Sequence, residues 1–169
     1  MNDHKGKRRY ALVLIVVVIV ALLGAFAIHT SYRALEMTKQ EERARETMAG
    51  LAPFANVDFD VWVTPPIVTV SESGGSVRVL VELKATKLTS SEVLVLETHV
   101  NIPGYSAHFN LTSVTLHPGG SIVVELTITI PSGTPNGIYP MSIIAKGETT
   151  QGGSWIVIMI GASETGPPP

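Results

Sequence analysis

Histidine and glutamate are the residues with the greatest capacity for chemistry in this sequence. Three of them, Glu97, His99 and His108, lie on either side of the segment Asn101-Ile102-Pro103-Gly104. If that segment closed a β-hairpin, the alternation of side chains along each strand would place all three on one outward face. Two imidazoles and one carboxylate can ligate a transition metal ion, but on a solvated sheet face they form only a modest charge pair. We favour the charge pair and expect no cofactor.

Other arrangements that support catalysis are absent from the sequence. It contains no cysteine, which excludes disulfides, thiolate metal sites, cysteine nucleophiles and blue-copper centres. It also lacks the nucleophile-elbow, P-loop, dinucleotide-binding and zinc-protease motifs. The paired carboxylates Asp58 and Asp60 fall on the polar face of a strand pattern, where solvation accounts for them. We therefore expect a protein that is not an enzyme.

Charge is distributed unevenly along the 169 residues. Eight of the 12 Lys and Arg residues lie before residue 53, and the rest of the chain carries four of them against nine acidic residues. A folded part with net negative charge repels polyanions. The sequence therefore predicts no nucleic-acid partner.

A long apolar segment near the amino terminus predicts a membrane anchor. Residues 10–28 are 19 consecutive positions without a charge, and as a helix they span roughly 28 Å, close to the thickness of a bilayer core. The segment is preceded by four basic residues, Lys5, Lys7, Arg8 and Arg9. By the positive-inside rule, residues 1–9 form a cytoplasmic tail. We expect a transmembrane helix over residues 10–29 in the cell membrane, with the C-terminal domain extracytoplasmic.

A cleaved signal peptide is the alternative interpretation of this segment. Ala25-Phe26-Ala27 has the small-x-small pattern of a cleavage site. However, the apolar run exceeds the usual signal-peptide length of about 7–15 residues, and helix-forming residues follow it. These features favour an uncleaved anchor and leave cleavage at Ala27 open.

Residues 30–52 predict a helical stalk. They are rich in helix formers and include Glu41 and Arg45 at i,i+4 spacing. Gly50 and Pro53 predict where the helix ends. The apolar residues form only a thin stripe, Met37, Ala44, Met48 and Leu51. A solvated stalk is the favoured interpretation, and a coiled-coil seam is the alternative.

After residue 53 the apolar periodicity changes from helical to alternating, which predicts β-strands. Three strands have clear inward-facing sets: Val57, Phe59, Val61 and Val63; Val77, Val79, Val81 and Leu83; Ile122, Val124, Leu126, Ile128 and Ile130. Further strands are expected near residues 67–72, 93–100, 105–111, 137–146 and 154–160, separated by turn-forming residues. Because no crossover helix is available, residues 53–161 predict an all-β, antiparallel β-sandwich of seven or eight strands. The proline-rich tail, 162–169, is expected to be disordered.

The stretch from Val114 to Gly147 also carries a family resemblance. It reads as a strand, Pro118-Gly119, an alternating strand, Pro131, then Gly137-Ile138-Tyr139 and a further strand, and Pro103-Gly104-Tyr105 adds a Pro-Gly-aromatic element. In this order the residues resemble the α-galactosidase-associated (NPCBM-associated) immunoglobulin-like domains, which are common in exported prokaryotic proteins. The resemblance spans about residues 57–160 and implies an immunoglobulin-like fold in a prokaryotic or archaeal envelope protein. It implies a spacer, adhesion or subunit-contact role and no particular activity.

Two aromatic residues are assigned to the core by their strand phase. Tyr139 shares the inward phase of Met141 and should donate its hydroxyl to the backbone, as in a tyrosine corner. Trp155 is expected to face inward together with Val157 and Met159.

Several outward-facing positions are candidates for contact or modification. Six of them are more apolar than a free sheet face requires: Leu80, Val93, Val95, Val123, Ile138 and Ile144. Such residues predict a face that a partner covers. The alternatives are that bulges return some of them to the core, or that the stalk helix folds back over them. Separately, the sequon Asn110-Leu111-Thr112 makes Asn110 a candidate for glycosylation.

Together these features predict a single-pass, membrane-anchored interaction or structural module, such as an accessory subunit of a membrane complex or of a cell-envelope assembly. Its expected partners are the lipid bilayer and other envelope or membrane proteins, with self-association as the nearest alternative. A second function left open is a surface-filament or motor-associated component, by analogy with archaellum stator subunits that join a membrane helix to a β-sandwich. A third is a metal-binding accessory protein that uses Glu97, His99 and His108.

Overall fold

The computed structural model describes residues 26, 30–32, 34–36, 38–52, 54 and 58–161. The chain divides into two compact units, Met1–Lys39 and Gln40–Pro169. In the first unit the described residues are helical, and the Thr38 hydroxyl donates to the Ala34 carbonyl one turn earlier, at 2.9 Å. None of the helical segments that the structure describes combines the length and hydrophobicity needed to cross a membrane.

Some of the sequence-based predictions concern residues outside the described part. The cytoplasmic tail 1–9, the transmembrane segment 10–29 apart from Phe26, and the tail 162–169 all lie there. So does Ala27, the site of the alternative cleavage. The anchor therefore stays a prediction from the sequence.

The second unit contains nine described strands. They are β1 Phe59–Thr64, β2 Ile67–Val70, β3 Gly75–Ala85, β4 Glu92–Val100, β5 Ser106–Phe109, β6 Ser113–Leu116, β7 Ser121–Ile130, β8 Gly137–Lys146 and β9 Gln151–Ile160. A four-stranded sheet has the order β1-β3-β7-β5, and a five-stranded sheet has the order β2-β9-β8-β4-β6. The predicted two-sheet β-sandwich is confirmed, and β6 is a strand that the sequence analysis did not separate from its neighbours.

All but one of the strand pairs are antiparallel. The exception is β2, which pairs in parallel with β9 and so brings together the beginning and the end of the sandwich. The chain leaves the four-stranded sheet after Thr64 and enters the five-stranded sheet at Ile67. Pro65 and Pro66 stand between these residues, with the Thr64-Pro65 bond in cis. Neither proline has an N–H for a ladder hydrogen bond, so the first ladder ends there.

Apolar side chains from both sheets fill the space between them. On β3 and β7 the side chains that face this core are those the alternation predicts, and Val81, Leu83, Val124 and Leu126 have no exposed surface. The outward positions of the same strands are mostly polar. A period of two with one dry face and one wet face therefore determines the register of both strands.

Strand β9 differs because both of its faces are buried. Ile156, Ile158 and Ile160 belong to the core between the sheets, whereas Val157 and Met159 belong to a second, smaller apolar cluster. The predicted inward phase of Trp155, Val157 and Met159 is therefore wrong. The physical reason is that a strand buried on both faces carries no polar alternation that could reveal its phase.

A helix over residues 40–50 provides the second cover for β9. Ala44 is fully buried in the second cluster, and Met48 and Leu51 pack against it, together with Ile67 and Ile138. These helix residues belong to the thin stripe predicted from the sequence, although Met37 lies outside the described residues. The stripe packs against the outer face of the five-stranded sheet. The compact unit that contains the sandwich therefore begins at Gln40, whereas the sequence predicted a domain boundary at residue 53. The helix ends at Gly50, as predicted.

The residues that follow the helix pack against the same five-stranded sheet, through contacts with Trp155 of β9. The Trp155 indole Nε1 donates to the carbonyl oxygen of Ala52 at 2.9 Å, and the Phe54 ring lies 5.4 Å from the Trp155 ring, centroid to centroid. Gly153 provides the space for this contact, since a Cβ there would lie 2.8 Å from the Phe54 ring and from the Ile143 carbonyl oxygen. Glycine at this position lets the Phe54 ring lie against the backbone of β9.

Tyr139 has the predicted role. Its ring packs against the core, and its hydroxyl donates to the carbonyl oxygen of Pro135 at 2.8 Å. The bond spans four residues and fixes the entry of the chain into β8. The predicted tyrosine corner is confirmed.

Candidate interaction site

The outer face of the four-stranded sheet carries three large apolar side chains in contact with solvent. Trp62 on β1 is 60% exposed, Leu80 on β3 is 51% exposed and Val123 on β7 is 52% exposed. We call these three residues the outer apolar patch. Each occupies the outward phase of a strand whose inward phase is buried, so the pleat directs all three to the same side of the sheet.

Strand register brings the three residues of the patch together around one carboxylate. Trp62 and Val123 both lie directly opposite Glu82, one on each side of β3. Leu80 lies two residues from Glu82 on the same strand, which makes it a diagonal neighbour of Trp62 and Val123. Opposite residues are about 4.5–5.5 Å apart and diagonal ones about 7–8 Å, within reach of large side chains.

Polar groups surround and interrupt this patch. Glu82 accepts a hydrogen bond from the Ser121 hydroxyl at 3.0 Å, and within the described part of the chain no Lys, Arg or His nitrogen lies within 4.0 Å of it. Arg78 and Glu125 form an exposed ion pair at 3.7 Å beside the patch. The patch therefore combines large apolar side chains and a polar rim, as protein interfaces do, with a carboxylate at its centre that a partner has to match.

The sequence analysis found two members of the patch and missed Trp62. Leu80 and Val123 were selected because they are apolar in an outward phase. Trp62 occupies the same outward phase of β1, between Asp60 and Thr64. The signal was therefore present, because tryptophan at a solvent-facing strand position is as unexpected as leucine there.

The six candidate face residues do not form one surface. Leu80 and Val123 lie on the four-stranded sheet, whereas Val93, Val95, Ile138 and Ile144 lie on the five-stranded sheet. The two outer faces point in opposite directions, because the sheets pack through their inner faces. The proposal of a single contact face built from all six residues is therefore corrected.

The four residues on the five-stranded sheet have different surroundings. Val93 and Val95 are exposed on β4, opposite Thr115 and Ser113 of β6. Ile144 is half-buried. Ile138 packs against the cluster under the helix over residues 40–50. For Ile138 the alternative in which the stalk helix folds back over the sheet is the one observed.

Glu97, His99 and His108 do not share one face, because the hairpin on which that grouping depended does not form. β4 pairs with β6 and β8, whereas β5 pairs with β7, so Glu97 and His99 are in one sheet and His108 is in the other. The turn after Val100 carries the chain across the sandwich, with Ile102 buried in the core. Because Ile102 anchors the crossing, a Pro-Gly pair that resembles a hairpin turn in the sequence connects two sheets instead.

Glu97 and His99 form a charge pair on the five-stranded sheet with a third residue, Lys146. The Lys146 ammonium donates to Glu97 Oε2 at 2.7 Å, and His99 Nε2 lies 3.7 Å from the same oxygen. The hydrogen bond from Lys146 lowers the pKa of Glu97 below its ordinary value. Within the part of the chain that the structure describes, no three His, Asp or Glu side chains are placed to hold a metal ion.

One further histidine makes a contact that the sequence did not indicate. His117 Nδ1 lies 2.6 Å from the Ser91 hydroxyl oxygen, and both residues are exposed. The bond joins the turn before β4 to the end of β6. No carboxylate among the described residues contacts this histidine, so the pair serves to connect two strand ends.

Asn110 extends the pairing between β5 and β7 by one residue. Its main-chain N–H donates to the Glu125 carbonyl at 2.9 Å, and its side-chain Oδ1 accepts from the Glu125 N–H at 2.9 Å. Asn110, Leu111 and Thr112 are all exposed in the connection to β6. The sequon therefore lies on the surface, at the end of a paired strand.

The fold and the exposed patch define a β-sandwich protein, and comparisons with known proteins add no narrower class. No family model matches the sequence, and no curated protein matches it. A family 123 glycoside hydrolase from Clostridium perfringens is similar over 63% of this chain, at 8% identity and a TM-score of 0.49. This chain spans 28% of that hydrolase chain.

Two other solved structures are similar at the same level. A FixG-related protein from Vibrio parahaemolyticus covers 66% of this chain and is itself covered fully, at 8% identity and a TM-score of 0.48. The cupredoxin domain of amoB from Nitrosocaldus yellowstonii covers 66% of this chain and is 92% covered, at 10% identity and a TM-score of 0.46. Identities this low carry no information about activity or partners.

Proposed function

We propose that the chain is a single-pass, membrane-anchored interaction module whose β-sandwich lies outside the cytoplasm. It binds another protein of the cell envelope or of a membrane complex through the outer apolar patch. The observation that carries this proposal is the cluster of Trp62, Leu80 and Val123, each more than half exposed on one sheet face.

The composition of the patch supports a contact with a protein. Tryptophan is enriched among the residues that dominate interface energies, and it offers a large rigid surface at low cost in side-chain entropy. Fully burying a Leu or Val side chain contributes about 1.5–3 kcal/mol. Because the sandwich core is complete without these three side chains, their exposure is a cost to solubility that a bound partner removes.

The charge of Glu82 favours a different protein over a second copy of this chain. Glu82 lies between Trp62 and Val123, and no Lys, Arg or His among the described residues forms an ion pair with it within 4.0 Å. A symmetric contact of the patch with itself brings two such carboxylates into the same desolvated region, which is costly. A different partner can cover the apolar side chains and also place a Lys, Arg or other hydrogen-bond donor opposite the Glu82 carboxylate.

The anchor part of the proposal rests on the sequence. The uncharged run of residues 10–28 and the basic residues before it support an N-terminus held in the cytoplasm. The resemblance of residues 57–160 to immunoglobulin-like domains of exported prokaryotic proteins agrees with an extracytoplasmic sandwich. A chain held at the membrane presents its patch at a high effective concentration to partners in the same membrane.

Co-purification in mild detergent tests the interaction. The variant Leu80→Lys/Val123→Lys should retain the melting temperature of the parent chain and lose its co-purifying partner. The matched variant Val93→Lys/Val95→Lys alters two exposed valines on the opposite sheet and should retain the partner. Loss of the partner from the second variant alone would assign the contact to the five-stranded sheet and contradict the proposal.

The absence of cysteine allows a direct test of topology. Asn2→Cys and Ser90→Cys each introduce the single thiol of the chain, and Ser90 is exposed between β3 and β4. A membrane-impermeant maleimide should label the Ser90→Cys chain in intact cells and the Asn2→Cys chain only after permeabilisation. Labelling in the reverse order would overturn the proposed orientation.

A further inference from the structure

We propose that Asn110 is a site of N-glycosylation, with an oligosaccharide attached to its side-chain nitrogen Nδ2. This inference rests on the proposed extracytoplasmic location of the sandwich. The sequon Asn110-Leu111-Thr112 has leucine, not proline, in its middle position. It occupies the short connection between β5, which ends at Phe109, and β6, which begins at Ser113, and all three residues are exposed.

The hydrogen bonding of Asn110 is compatible with an attached sugar. Its side chain uses only the carbonyl oxygen Oδ1, which accepts from the Glu125 N–H at 2.9 Å. Across the described residues, no group accepts a hydrogen bond from Nδ2. Attachment at Nδ2 retains the amide carbonyl, so the bond to Glu125 persists after modification. The glycan therefore replaces no native hydrogen bond of the folded sandwich.

The reaction balances with one co-reactant, a lipid-linked oligosaccharide diphosphate. The bond between sugar C1 and the diphosphate oxygen breaks, and a bond between C1 and Nδ2 forms. Nδ2 gives up one proton, and the lipid diphosphate leaves with the bonding electron pair. No oxidation or reduction takes place. Thr112, which supplies the hydroxyl that the sequon requires, is exposed two residues after the acceptor.

The residue that follows Asn110 has an exposed apolar side chain. Leu111 is 47% exposed directly after Asn110, in a connection where a free leucine leaves apolar surface in water. A sugar attached to Asn110 would lie next to this apolar position, at the end of β5 on the edge strand of the four-stranded sheet.

The chain contains its own negative controls for this proposal. Asn101 and Asn136 are also exposed, but proline and isoleucine stand two residues after them, at Pro103 and Ile138. Neither is a sequon, and Asn101 is the closer control because the Nδ2 of Asn136 donates to Glu72 Oε1 at 2.6 Å. A modification that follows exposure alone would reach all three asparagines, whereas N-glycosylation reaches only Asn110.

Peptide mass spectrometry of the full chain, purified from the membranes of its native host, tests the proposal. Most copies of the peptide that contains Asn110 should be heavier by a whole number of sugar residues, with the added mass located on Asn110. Peptides that contain Asn101 or Asn136 should have their unmodified masses. Asn110→Gln and Thr112→Ala should each remove the modification completely, and Thr112→Ser, which retains the hydroxyl, should keep it.

An unmodified Asn110 overturns the proposal, and so does a modification that survives Thr112→Ala. Impermeant labelling of the Ser90→Cys chain in the same cells separates this failure from failure of the proposed function. If the sandwich is labelled from outside and Asn110 carries no sugar, glycosylation is wrong and export stands. If the sandwich is labelled only after lysis and Asn110 carries no sugar, both proposals are wrong.

Discussion

The indole nitrogen of Trp155 donates a 2.9 Å hydrogen bond to the carbonyl oxygen of Ala52, which joins the last strand of the sandwich to the residues that follow the helix. The contact spans more than a hundred residues of sequence. With Phe54 against Trp155 and Ala44 buried beside Val157, it makes the segment from residue 40 onward a structural layer of the sandwich. The sandwich therefore includes a part of the predicted stalk.

Replacing Trp155 by phenylalanine removes this hydrogen bond and keeps an aromatic ring against Phe54. We expect Trp155→Phe to lower the free energy of unfolding by about 0.5–1.5 kcal/mol, since the Ala52 carbonyl loses its donor. Trp62→Phe is the matched control, because Trp62 is mostly exposed and should change stability by less than about 0.5 kcal/mol. Urea unfolding measures the free energy of unfolding of both variants. Equal losses of stability would contradict the proposed role of the hydrogen bond between Trp155 and Ala52.

Because the helix packs on the sheet, replacing alanine by glutamine should affect stability differently at Ala44 and at Ala49. Ala44 is fully buried against β9, whereas Ala49 on the same helix is exposed. Glutamine is a good helix former, so Ala49→Gln should be nearly neutral. Ala44→Gln should lower the free energy of unfolding by roughly 1–3 kcal/mol, because it forces a larger polar side chain into an apolar contact. Thermal unfolding that does not distinguish the two variants would mean that the helix is a free stalk.

The carboxylate of Glu92 predicts a dependence of stability on pH. It accepts hydrogen bonds from the Thr150 hydroxyl at 2.7 Å and the Thr149 N–H at 3.2 Å, and the bond from Thr150 is the main reason that its pKa lies below the ordinary 4.5. A lowered folded-state pKa means that the stabilisation is fully present above 4.5 and is lost as the pH falls through the folded-state pKa.

Glu92→Gln should therefore lower the free energy of unfolding at neutral pH by about 0.5–1.5 kcal/mol. The difference from the parent chain should narrow in acid, once the parent carboxyl is protonated. Glu148→Gln, in the turn between β8 and β9 that also carries Thr149 and Thr150, is the control. Chemical unfolding at a series of pH values measures both variants, and a difference that does not change with pH would refute the role of the Glu92 charge.

The substitution Glu82→Gln distinguishes binding to a different protein from self-association, because it should weaken the first and strengthen the second. If the partner places a donor opposite this carboxylate, Glu82→Gln should weaken its binding about tenfold, the loss of roughly 1.4 kcal/mol of a charge-assisted hydrogen bond. If the patch pairs with itself, the same variant should strengthen association, because it removes repulsion between two carboxylates. Affinity for the purified partner and sedimentation of the chain alone measure the two cases.

The sequence predicted the core best where each strand has one wet face. Val79, Val81 and Leu83 on β3 and Val124 and Leu126 on β7 alternate with outward positions that are mostly polar, and all five are buried as expected. Trp155, Val157 and Met159 were assigned to the wrong face, because β9 is apolar on both sides and its cover is a helix from another part of the chain. Which faces are covered is a tertiary property that local periodicity does not contain.

The candidate site was predictable in part for a related reason. Strand phase identified Leu80 and Val123, but only the sheet order shows that Trp62 joins them around Glu82. The grouping of His108 with Glu97 and His99 failed because it assumed that neighbouring strands in sequence pair with each other, whereas β4 and β5 lie in different sheets. Sequence spacing alone does not distinguish a hairpin from a connection between two sheets.

Site-specific photo-cross-linking in native membranes tests the central claim most directly. A benzophenone side chain at position 80 lies within the outer apolar patch, and one at position 115 lies on the outer face of the opposite sheet. We expect irradiation to join position 80 to one protein different from this chain, to give no such adduct from position 115, and to lose the adduct when Glu82→Lys is added. The absence of an adduct from position 80, or an equal yield of the same adduct from position 115, would contradict the assignment of this face as the interaction site.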